Sequence, residues 1–116
     1  MNLAIAEKNV KDSNCCAICA KIADYYLDED DKTCFALDSG NGRVDILPMY
    51  TTVRVEVAFH GHKGEHGEWD LAFYRDSRDL VDTYEIPAKT FHGFTVDEVV
   101  KNFIVLIDDE IDYMLS

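Results

Sequence analysis

Basic residues are scarce. The chain of 116 residues holds 11 Lys and Arg against 23 Asp and Glu, a formal charge of −12, and no segment concentrates the positive side chains. Phosphate backbones and anionic membranes would repel such a chain, so direct binding of nucleic acid is disfavoured. Long apolar runs are missing as well. None approaches the roughly 20 residues of a membrane span, and the N-terminal stretch has no basic n-region and is broken by Glu7, Lys8 and Lys11. Neither a membrane span nor a signal peptide is expected. Only four cysteines occur, and Cys15, Cys16, Cys19 and Cys34 are bunched. That placement argues against a disulfide framework and for a reducing, cytoplasmic compartment. No serine stands in a G-x-S-x-G context and no phosphate-cradling glycine loop precedes a helix, so no catalytic residue, cofactor or enzymatic activity is expected.

What the chain does have is enough apolar sequence for one core. With 47% hydrophobic residues, residues 1–116 read as a single acidic domain. The organising stretch is Phe94 to Leu115, where Val96, Val99, Val100, Phe103, Ile107, Ile111 and Met114 recur at helical spacing. Thr95 and Glu98 form a capping box, and Phe94 with Val99 has the spacing of a hydrophobic staple. A first helix is expected from Cys15 to about Leu27, preceded by the N-cap candidates Asp12, Ser13 and Asn14. Residues 2–11 have weaker helical character and read as a short helix or a loose arm.

Between the helices lies a β region. Thr33 to Asp38, Arg43 to Leu47, Thr51 to Phe59, Glu68 to Arg75 and Leu80 to Ile86 read as strands. Ser39-Gly40-Asn41-Gly42 makes a hairpin turn between the first two, and Pro48 interrupts the second. Val53, Val55, Val57 and Phe59, then Trp69, Leu71 and Phe73, alternate with polar residues, the pattern of a sheet with one packed face. The expected fold is α+β, an antiparallel sheet of four to five strands with an N-terminal and a C-terminal helix on one face, in the order α-β-β-β-β-β-α. An odd number of strands brings the ends of both helices to the same edge of the sheet; a single strand bent at Pro48 would separate them.

Two clusters of acids then stand out. Asp28, Glu29, Asp30 and Asp31 follow the first helix, and Asp108, Asp109, Glu110 and Asp112 crowd the end of the last. Each acid at the negative end of a helix dipole is unfavourable by roughly 0.3 to 1 kcal/mol at low salt. A solvated linker accounts for the first cluster as simply as function does. Val105 falls amid the polar face of the last helix, where an interface would use it as an apolar anchor ringed by charge. Tyr25, Tyr50 and Tyr74 suit the same role.

Other candidates have plain alternatives. His60, His62, Glu65 and His66 could ligate zinc or nickel, yet the glycines around them fit an ordinary hairpin loop. Cys16 and Cys19 match C-x-x-C without the strand that precedes a redox motif, so small buried thiols are the simpler reading. The sequence thus points to an acidic protein that works by binding. The expected partner is a basic protein, such as a nuclease or another nucleic-acid-handling protein, whose charged surface it would occupy. Asp28, Glu29, Asp30, Asp31, Val105, Asp108, Asp109 and Asp112 are the expected contact residues, and no bound metal is expected. In size and charge the chain is similar to phage-encoded inhibitors of host nucleases, anti-CRISPR proteins among them, and to nuclease immunity proteins, with no shared motif. Two alternatives remain: an acidic homodimer resembling a secretion chaperone, and a metal-binding enzyme or sensor built on the residue 60–66 loop.

Overall fold

The computed structural model describes residues 15–27, 34–38, 42–61, 67–76 and 78–116, the segment 34–38 through its backbone. Helix α1 spans Cys15–Tyr26, strands β1 to β5 span Cys34–Asp38, Arg43–Pro48, Arg54–His60, Glu68–Tyr74 and Leu80–Pro87, and helix α2 spans Val96–Leu115. A short 3-10 helix, Ala88–Phe91, links β5 to α2. The strands form one antiparallel sheet in the order β1-β2-β3-β4-β5. The fold is α+β, as the two hydrophobic periodicities imply.

Alternation decides which face of the sheet is covered. Val44 lies opposite Val57 and Val57 opposite Leu71, while Val55 lies opposite Phe73 and Phe59 opposite Trp69. Val44, Ile46, Val55, Val57, Trp69, Leu71 and Phe73 are all fully buried on that one face. Both helices lie there. α1 contributes Ile18, Cys19, Ile22, Ala23 and Tyr26, and α2 contributes Val99, Val100, Phe103, Ile107, Ile111 and Met114, to the same core. Aromatic contacts fasten α2 to the sheet: Trp69 packs on Phe103 with ring centres 5.0 Å apart, and Phe103 packs on Phe91 at 5.2 Å. Such edge-to-face pairs add about 0.5–1.5 kcal/mol each beyond the area they bury.

The helices run in the same direction. Lys21 pairs with Asp97 at 2.6 Å near the start of α2, and Tyr26, the last residue of α1, donates its hydroxyl to Asp108 at 2.7 Å further along. Five antiparallel strands between two helices require this orientation, because each reversal flips the chain direction once.

Several boundaries move from the sequence expectation. β3 begins at Arg54 rather than Thr51, because the Thr51 hydroxyl bonds both Pro48 O and Val53 N and closes a turn. A side chain that satisfies local backbone groups in this way competes with the ladder. β2 runs through Pro48, which sits at its last position opposite Cys34. Gly42 has φ 71, as a hairpin glycine should, and a side chain there would meet Cys15 Sγ at 3.1 Å. The N-cap candidates 12–14, the arm 2–11 and the turn residues 39–41 lie outside the described residues.

The capping box is fully formed. The Thr95 hydroxyl accepts from Glu98 N at 3.2 Å, and the Glu98 carboxylate accepts from Thr95 N at 3.2 Å. Thr95→Ala removes one of these two bonds and should lower unfolding stability by about 1 kcal/mol, read from the urea midpoint. Loss of less than a few tenths would mean that tertiary packing alone fixes the start of α2.

Candidate functional site

The free side of α2 is the surface that sequence reading marked. Positions three, four and seven apart share a face of a helix, so Glu98, Lys101, Val105, Asp109 and Asp112 form one stripe. All five are exposed, Val105 by 55%. Asp109 and Asp112 have no hydrogen bond or ion pair among the described residues, and no basic residue lies in the last turn of α2. An apolar side chain near the middle of α2 is thus followed along its stripe by two carboxylates without partners among the described residues.

The four C-terminal acids do not act alike. Asp108 accepts the Tyr26 hydroxyl and ties α2 to α1. Glu110 accepts the Tyr84 hydroxyl at 3.1 Å and ties α2 to the edge strand β5. A hydrogen bond to a charged group contributes about 1.5–3 kcal/mol, more than the dipole penalty at each position. The expectation that all of these acids weaken the scaffold is therefore corrected for Asp108 and Glu110, whereas Asp109 and Asp112 have no such contact among the described residues. Residues 28–31, the other predicted acidic cluster, lie outside the described residues. Tyr25 is half exposed and Tyr50 fully exposed, whereas Tyr74 is partly covered by the Arg54 guanidinium, 4.1 Å from its ring centre.

A second anionic site comes from strand register. On the open face of the sheet, Ala58, Asp70 and Glu85 form a row, with His60 opposite Glu68 one step along. Glu68, Asp70 and Glu85 each place a carboxylate oxygen within 4.8 Å of the others. His60 Nε2 lies 3.0 Å from Asp70 Oδ2. Elsewhere on this face acids are matched by bases: Arg43 pairs with Glu56 at 2.7 Å and with Asp45 at 3.3 Å, and Arg54 also pairs with Glu56. Desolvation, then the charges of Asp70 and Glu85, push the Glu68 carboxyl above its ordinary pKa, with His60 opposing them. Of the histidines proposed as ligands, His60 faces Asp70, and His62 and His66 lie outside the described residues.

The remaining candidates are structural in placement. Cys19 is fully buried while Cys16 is exposed, so the C-x-x-C pair does not present two thiols to one environment. Burial pushes the Cys15 thiol above its ordinary pKa, assisted by Cys16, which disfavours a reactive thiolate. Among the described residues no helix is long and apolar enough to cross a membrane.

Two pH-dependent outcomes follow from these contacts. Partial burial, then the Glu110 hydrogen bond and the charges of Glu110 and Asp82, raise the Tyr84 phenol from 10.0 to about 12. A raised folded value means that its stabilising contribution is complete below the ordinary value and is lost as pH climbs through the raised one. Between these two values the unmodified protein should therefore lose stability faster than Tyr84→Phe, as read from urea midpoints; parallel curves would exclude the contact. For Glu68 the same sign holds in the carboxylate range, so ionised Glu68 weakens the fold at neutral pH. Glu68→Gln should raise the midpoint at neutral pH, and the gain should vanish once the unmodified carboxyl is protonated. Comparison with family models, curated proteins and solved structures finds no match, so the functional reading rests on this chain's own residues.

Proposed function

We propose that the protein acts by binding, with the free side of α2 occupying a basic, nucleic-acid-handling surface of another protein and so inhibiting it. The observation that supports this reading is the pair Asp109 and Asp112, unpartnered among the described residues and following the exposed Val105 along one stripe of α2. Carboxylates held on a rigid helix stand in electrostatically for phosphates, while an apolar anchor excludes water at the centre of the contact. The register-built cluster of Glu68, Asp70 and Glu85 adds a second negative area, which contributes to long-range steering of a basic partner. A reducing cytoplasm is the proposed compartment, in keeping with the thiols of Cys15, Cys16 and Cys19.

Asp108 is left out of the decisive test, because reversing it would break the Tyr26 contact and confound binding with folding. Asp109→Lys with Asp112→Lys changes only acids that have no hydrogen bond or ion pair among the described residues. Pull-down from cell lysate at low and high salt should retain basic proteins at low salt and lose them at high salt. The double reversal should weaken their binding by roughly tenfold or more. Its urea midpoint should stay level or rise, since Lys suits the end of a helix dipole. Undiminished capture by the double variant removes α2 from the mechanism.

A further inference from the structure

The sheet ends at β5, whose eight residues pair with β4 along one side. Three hydrogen bonds fix which of its backbone groups point outward. Ala88 N donates to Gly67 O at 2.9 Å, so the even-numbered residues of this segment turn toward β4. Phe59 N donates to Gly42 O at 2.8 Å, on the side of β3 away from β4, which turns Trp69 to β5 and pairs it with Ile86 in the same alternation. Thr83 N instead donates to the Asp82 carboxylate at 2.9 Å, off the ladder. Val81, Thr83 and Glu85 therefore present N–H and C=O to the open edge. Among the described residues, the Asp82 carboxylate alone is hydrogen-bonded to these groups. The side chains of the three share the bare face of the sheet, with Thr83 opposite Ala72 and Glu85 opposite Asp70, and all three are exposed.

We propose that the outer edge of β5 takes up a basic, extended segment of a partner protein as a sixth, antiparallel strand. Sheet edges are usually blunted by lysine, proline, a bulge or a covering element. β5 carries no Lys or Arg, and Pro87 at its end and the register shift beside Tyr74 at its start leave Val81 to Ile86 regular. Its guards are negative instead. Asp82 holds Thr83 N–H, and Glu85 stands with Glu68 and Asp70, their carboxylate oxygens within 4.8 Å of one another and without a Lys or Arg partner among the described residues. Such an edge rejects an acidic strand, a second copy at −12 included, and favours a basic one. Side chains directly opposite on paired strands have Cβ atoms about 4.5–5.5 Å apart, so a Lys or Arg opposite Glu85 reaches its carboxylate and lies beside Asp70. Two residues along, the entering strand meets Thr83, and two further it meets the exposed Val81. The position opposite Asp82 favours a second base, which draws that carboxylate off Thr83 N–H and frees the donor for the new ladder. Backbone bonds supply the affinity and the carboxylates the choice of partner. This edge is separate from the free side of α2 and does not depend on the reading of that surface.

The probe is the peptide Lys-Val-Thr-Lys-Val, blocked at both ends and added to the full chain while amide hydrogen exchange is followed. The Val81 and Glu85 amides should exchange freely in the chain alone and slow by roughly tenfold or more with peptide, most strongly at low salt. The same peptide N-methylated at its central Thr keeps its charge but lacks a ladder donor, and it should give no protection. Thr83→Pro puts a ring on the open edge without removing a bond to β4, and Glu85→Lys reverses the charge that selects the partner. Each should weaken peptide binding, measured by titration calorimetry, by roughly tenfold or more; Glu85→Lys keeps the test decisive should Thr83→Pro fail to fold. Val81 and Glu85 amides already protected in the chain alone overturn the proposal, because another segment or a second copy then covers the edge. Equal binding of the methylated peptide overturns it too, since charge alone would then hold the peptide, and so does an absence of protection at millimolar peptide. The Asp109→Lys, Asp112→Lys variant should still show the protection, so failure of the α2 reading and failure of this one are distinguishable.

Discussion

With five antiparallel strands between them, α1 and α2 must run the same way across the sheet, and this constraint sets the electrostatics of the molecule. Neighbouring antiparallel helices let their dipoles offset one another, whereas parallel ones place two negative ends together. Neither helix carries a basic residue in its last turn. The contacts of Lys21 with Asp97 and of Tyr26 with Asp108 fasten this arrangement at two levels. The second of them hydrogen-bonds a carboxylate close to where the helix dipoles are most negative. Tyr26 is thus both a packing residue of α1 and, through its hydroxyl, a neutral donor to an acid that has no ion pair among the described residues.

Three physical situations recur among the acids of the described residues. Asp45, Glu56 and Asp97 are matched by arginine or lysine. Such exposed pairs contribute little, about 0–1 kcal/mol each, but they leave no local field. Asp108 and Glu110 are bound by tyrosine hydroxyls and tie three elements together. Asp109 and Asp112, and the Glu68 group on the open face, keep most of their charge unopposed. These last two sets lie on opposite sides of the fold, one on the helix layer and one on the bare sheet. Acidic charge therefore lies on both sides of the fold, and on the helix side it shares a stripe with the exposed Val105.

Much of this architecture was readable from spacing alone. Trp69, Leu71 and Phe73 point inward because a strand alternates with period two, and Val99, Val100, Phe103, Ile107, Ile111 and Met114 share a face because a helix turns every 3.6 residues. Both rules are local. The Thr95–Glu98 box is local too, and it formed as read. What escaped were relations between distant residues. The partner of Asp108 is 82 positions away, and that of Glu110 is 26 away. Gathering Glu68, Asp70 and Glu85 required the β4–β5 register, which a shift of one residue would have dispersed. The left-handed turn at Tyr50 was hidden for another reason. Met49-Tyr50 contains neither the glycine nor the asparagine by which such turns are usually recognised.

Three costs of different physical origin coincide at the end of the sheet where the helices finish. Asp109 and Asp112 oppose a dipole, Tyr50 opposes a backbone preference, and Leu115 with Met49 opposes the hydrophobic effect. Each could be removed by one surface substitution without touching Trp69, Phe103 or any other core residue. A chain shaped by folding alone has no reason to retain all three in one place, because none improves the packing of the others. The core encloses Ile18, Ile22, Val55, Leu71, Phe73 and Ile107 fully, and its own concession is of another kind, the buried Trp69 Nε1, which has no hydrogen-bond partner among the described residues. Stability resides in the two-layer interior, and these three surface features lie outside it. The two can therefore be varied independently.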